Sequence, residues 1–92
     1  MLTPAQATQA LIDAVIAEGL PSGTTNSLLD SLRKAYSLLT NTKSGDDLKA
    51  CRHLEAFEAQ VSLSLRKGRL TADQAAMFTT AADDIEIALG CP

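Results

Sequence analysis

The stretch CRHLE puts a cysteine, the chain's single histidine and a carboxylate within five residues, the side chains from which nucleophilic and metal chemistry are built. Their spacing works against that chemistry. His53 has no His or Cys at i+3 or i+4, where two ligands would share a helix face, and Cys51 at i−2 points away from it. A Cys-His nucleophile would need a distant second base, and the chain has no other histidine. His53 therefore reads as a partly exposed helical residue.

The carboxylates form two groups, Asp46 with Asp47 and Asp83 with Asp84 and Glu86. Neither follows the oxygen-ligand spacing of a calcium loop, and acid–base work by paired carboxylates needs a cleft that shifts their pKa values. Both groups read as solvated faces. GLPSG lacks the Lys and the preceding strand of a phosphate-binding loop. The expectation is no catalytic residue, no cofactor and no metal; an enzyme would require a cleft lined with Asp83, Glu86 or His53.

The elements that must position these residues are helices. With 92 residues the chain makes one domain, able to bury roughly 60 to 65% of its unfolded surface. Only three aromatic rings are present, so Leu, Ile, Val and Ala must build the core. In LTPAQ, Thr3 is placed as N-cap, Pro4 at the first helical position and Gln6 to complete a capping box. The stripe Ala7, Leu11, Ile12, Val15 and Ile16 follows, until Gly19 stops it and Leu20 and Pro21 supply an anchor and a breaker. A first helix over about 4–18 results.

A second, over about 24–41, carries Leu28, Leu29, Leu32, Ala35, Tyr36 and Leu39, with Ser22, Thr24, Thr25 or Asn26 as its cap. The stretch NTKSGDD ends it. A third, over about 46–67, carries Leu48, Cys51, Leu54, Phe57, Val61 and Leu65, with acids in its first turn and Arg66 and Lys67 in its last, as the helix dipole favours. A fourth, over about 72–89, opens on LTADQ with Thr71 as cap, Gln74 reaching back and Leu70 as a staple. It points Ala75, Phe78, Ala82, Ile85 and Leu89 inward and stops at Gly90. Short connections predict an all-α, up-and-down four-helix bundle.

If the third and fourth helices form a hairpin turning at Gly68 to Leu70, Cys51 lies about 27 Å and Cys91 about 31 Å from the turn, nearly level. That makes the two thiols candidate disulfide partners. The alternative is a buried thiol at Cys51 and an incidental tail residue at Cys91.

A net charge of −3 argues against a nucleic-acid surface, and Arg66, Lys67 and Arg69 beside Gly68 read as a solvated turn. No apolar run approaches the roughly 18 residues of a membrane span, so no membrane insertion is expected. No signal-peptide pattern is present, and Met1 reads as a native start or as the edge of an excised domain. Leu63 and Met77, off the main stripes, could form a small contact patch.

The chain also resembles a family. ALIDAVIAEGLPSGTTNSLLDSLRKAYSLL, ACRHLEAFEAQV and KGRLTADQAAMF followed by ALG are similar, in order, to the helices and turns of the FIMAH-type helical module. The resemblance covers about residues 8–91. It departs from the family pattern at Glu58, where an apolar residue is expected, and in the longer NTKSGDD turn. It implies a module near the C-terminus of larger secreted or surface-associated bacterial and archaeal proteins, many of them hydrolases, and a Cys51–Cys91 bridge.

The leading expectation is therefore a non-catalytic accessory, spacer or attachment domain, extracellular or at the cell surface. Its partners would be neighbouring domains of a parent protein, or a cell-surface or extracellular protein or polysaccharide. The alternative is a free-standing acidic helical protein that binds and inhibits a basic protein, cytoplasmic if Met1 is a native start.

Overall fold

The computed structural model describes residues 3–40 and 46–91. It contains four helices, α1 (Pro4–Ala17), α2 (Ser22–Thr40), α3 (Asp46–Arg66) and α4 (Ala72–Leu89), in a body of 38 × 22 × 22 Å. Neighbouring helices pack in a ring, α1 on α2, α2 on α3, α3 on α4 and α4 on α1. An all-α four-helix bundle is what the apolar spacing predicted.

Local chemistry starts and stops these helices. Thr3 and Gln6 form a reciprocal capping box: the Gln6 N–H donates to Thr3 Oγ1 at 3.1 Å and the Thr3 N–H donates to Gln6 Oε1 at 2.9 Å. Thr71 and Gln74 repeat it with the same two distances. Each box satisfies two backbone donors that a helix start otherwise leaves unpaired. At the end of α1, Gly19 adopts a positive φ of 65°, which costs an L side chain about 1–2 kcal/mol and glycine nothing.

The start of α2 departs from expectation. The helix begins at Ser22, which leaves Pro21 at the cap position and places Ser22, Thr24, Thr25 and Asn26 within the first turns. The Thr25 N–H donates to the Pro21 carbonyl at 2.9 Å, and Thr25 Oγ1 donates to the Leu20 carbonyl at 3.2 Å. Thr24 is buried in this first turn. The NTKSG part of the following turn lies outside the described residues.

Sixteen apolar side chains form one core, centred on Phe57 and Phe78, whose rings meet edge to face at 6.4 Å. Ala7, Tyr36, Leu39 and Leu89 are partly buried against it, and three expected members are turned to solvent: Ile16, Leu48 and Leu65 are 52, 60 and 39% exposed. The inward row of α3 instead runs Ala50, Leu54, Phe57, Val61 and Ser64, alternating steps of four and three residues. Keeping that alternation places Ser64 inward and turns Leu65 out. On α1 the row likewise begins at Thr8, whose hydroxyl is satisfied by donating to the Pro4 carbonyl at 2.8 Å, and it ends before Ile16.

Candidate functional site

Three features stand out, on different parts of the bundle. The first is the cysteine pair. Gly90 caps α4 with φ 74°, the Gly90 N–H donating to the Ile87 carbonyl at 3.1 Å and the Cys91 N–H to the Glu86 carbonyl at 2.9 Å. This left-handed cap folds the chain back against the helix instead of letting it run on. Cys91 is thereby delivered to Cys51 near the start of α3, with sulfurs 1.97 Å apart and Cα atoms 5.8 Å apart, within the usual span of a disulfide. The nearly equal heights expected of the two residues are what the α3/α4 hairpin realises. Cys51 is buried and its sulfur is engaged by Cys91, so it is no partner for His53, which stands half-buried on the same helix.

The second feature is an acidic cluster on the α3/α4 seam. Glu58 of α3 meets Asp83 and Glu86 of α4, with one ligand oxygen from each within 4.8 Å of the others. Burial raises the Glu58 carboxyl to about 8, and hydrogen bonding to Asp83 and the charge of Glu86 push the same way. Glu86 is raised as well, chiefly by burial; its hydrogen bond with Glu58 opposes the rise, while the charges of Asp83 and Glu55 reinforce it. Glu58 Oε1 and Glu86 Oε1 are closed to solvent and meet no donor. A proton held on Glu58 supplies a donor to this cluster, which adds to the effect of burial in favouring the protonated form. The same three carboxylates offer a hard divalent cation three of the six to eight oxygens that calcium takes.

This cluster was only half legible in the sequence. In the sequence alone Asp83 and Glu86 read as part of a solvated face, and Glu58 only as a departure from an apolar pattern. The signal that brings them together is register. Seven residues along α3 from Cys51 lies Glu58, and seven residues back from Cys91 lies Asp84, flanked by Asp83 and Glu86. Asp84 itself points elsewhere, into the third feature. Asp46 and Asp47 begin α3, but their side chains lie outside the described residues.

The third feature is an apolar groove of about 450 Å³ on the α1/α4 seam, walled by Pro4, Ala7, Ala14, Met77, Ala81 and Ala88. Leu11 and Ile85 form its floor and Asp84 is its one charged residue. Alanine on both helices is the cause: two facing rows of methyl groups leave the outer half of the seam unfilled. Gln74 closes one end of this seam, its Nε2 donating to Glu18 Oε1 at 2.9 Å. Of the two residues offered as a small contact patch, Met77, at the edge of the α4 stripe, is 46% exposed on the groove wall, whereas Leu63 is half-buried on α3. Asp83, Glu86 and His53 do not line this groove.

Arg66, Lys67 and Arg69 are exposed around Gly68, as a solvated turn requires. None of the described helices is long and apolar enough to cross a membrane. Comparison with protein-family models, with curated proteins and with solved structures finds no match for the chain.

Proposed function

We propose that the chain is a non-catalytic accessory, spacer or attachment module of a secreted or surface-associated protein. The observation that carries this reading is the Cys51–Cys91 pair, which ties the end of α4 to the start of α3 at bonding distance. A bridge closing a loop of 40 residues contributes about 4 kcal/mol in the chain-entropy model, a large part of a small domain's stability. Such bonds persist in oxidising compartments. The ordered resemblance to FIMAH-type modules supports the same reading and assigns catalysis to neighbouring domains.

The distribution of chemistry agrees with a non-catalytic role. Two spaces, of about 450 and 420 Å³, lie on the α1/α4 seam and beside Thr3, Leu39 and Leu89, and neither is lined by Glu58 or Glu86, whose raised carboxyls lie on the α3/α4 seam. Acid–base groups act on a substrate only within hydrogen-bond reach of it.

The test is the intact mass after alkylation, with and without prior reduction, of protein made in an oxidising compartment. Two adducts appearing only after reduction support an extracellular module. Two adducts without reduction overturn it and favour the cytoplasmic inhibitor.

A further inference from the structure

We infer that the α1/α4 groove is a docking site for a cationic amphipathic helix of a partner protein. The inference is independent of the compartment in which the module works, and so of the fate of the disulfide reading.

Shape comes first. The groove runs along two helices whose alanines recur at matched spacing, Ala7 and Ala14 on α1, Ala81 and Ala88 on α4. From Pro4 to Ala14 its length is about 15 Å, three turns of helix. Methyl-walled and apolar-floored, it accepts a row of large side chains at i, i+3 or i+4 and i+7, the recognition mode of a helix lying in a groove. Ordinary ligand pockets add several convergent polar groups to fix a small molecule, and here a single carboxylate, Asp84, enters the wall.

Charge selects the kind of helix. All eight Lys and Arg residues lie between positions 33 and 69, so α1, α4 and the segments that flank them before position 33 and after position 69 carry no cation. Against that stand Asp84 in the groove wall and Glu18 at the end of the seam beside Gln74, both exposed, while Asp83 and Glu86 face α3. Asp84 and Glu18 give the groove a negative edge that a helix flanked by Lys and Arg would meet and an acidic one would not. A second copy of the chain is the weaker occupant: each copy carries a net charge of −3, and the cations of α2 and α3 are interspersed with Asp30, Glu55 and Glu58.

The experiment titrates the isotope-labelled full chain with a synthetic amphipathic peptide of about 18 residues, Leu on one face and Lys on the other, followed by amide NMR shifts. A twin with Glu in place of every Lys is the control. The expected result is saturable shifts at Ala7, Ala10, Ala14, Met77, Ala81 and Ala88, with the Lys peptide at least about tenfold tighter than the Glu peptide and weakened by salt. Ala88→Trp, which fills the groove from an exposed position, and Asp84→Lys should each weaken binding about tenfold or more. Their urea midpoints must stay at the wild-type value, which separates loss of the site from loss of the fold. Equal affinity for the two peptides, or shifts confined to α2 and α3, overturns the inference. So does a groove that ignores both peptides but takes n-octanol, or one covered by a second copy in sedimentation at equilibrium.

Discussion

Gln74 performs two tasks at once: its Oε1 accepts from the Thr71 N–H at 2.9 Å, capping α4, and its Nε2 donates to Glu18 Oε1 at 2.9 Å, across 56 residues of sequence. The helix start and the bundle seam are thus set by one side chain. Gln74→Ala should cost about 1 kcal/mol, mostly from the cap, and Glu18→Ala less. A double-mutant cycle in urea should give a coupling of about 0.5 kcal/mol, because the pair is exposed. A coupling near zero would mean that the seam holds without it.

The cysteine pair closes a loop of 40 residues and constrains the unfolded chain. Cys91→Ser should lower stability by about 3–4 kcal/mol in urea, and reduction of the wild type should lower it to the same level. Gly90→Ala should cost about 1 kcal/mol through its positive φ, with the disulfide still able to form. If reduction leaves the urea midpoint unmoved, the bridge does not constrain the unfolded chain.

Stability should fall as pH rises. The Glu58 carboxyl is raised from 4.5 to about 8 in the fold, so the folded state binds its proton more tightly than the unfolded chain does. Its contribution is fully present below about pH 4.5 and is lost as pH climbs through about 8. Glu58→Gln keeps a donor toward Asp83 and Glu86 without the charge. It should flatten this dependence and raise stability at about pH 8 by about 1 kcal/mol, discounted for the solvent that reaches the site. Thermal melts across this range, wild type beside variant, check the sign; parallel curves would exclude Glu58 as the titrating group.

The two helical registers of α3 predict different mutational costs. Phe57→Ala removes a fully buried ring paired with Phe78 and should cost about 3–5 kcal/mol. Leu48→Ser and Leu65→Ser, at exposed positions, should change stability by no more than about 0.5 kcal/mol each. Reversal of that order would restore the register first read from Leu48 and Leu65.

What the sequence determined by itself is local. Thr3 with Gln6, Thr71 with Gln74, and the glycines at 19, 68 and 90 set helix ends through bonds and backbone angles within a few residues, so the four elements were legible to within a residue or two. The start of α2 was the least legible for the same reason: Ser22, Thr24, Thr25 and Asn26 all offered capping side chains, and the helix begins at Ser22. The level placement of Cys51 and Cys91 followed from rise per residue alone, since antiparallel helices of known length leave little freedom. Tertiary structure decided what depends on rotation about the helix axes. A turn of about 100° separates adjacent residues, enough to put Ser64 inside and Leu65 outside, to swing Glu58 onto Asp83 and Glu86, and to aim Asp84 into the groove on the other side of α4. That rotation is fixed by how sixteen core side chains fill one volume together, a collective fit that no single helix encodes.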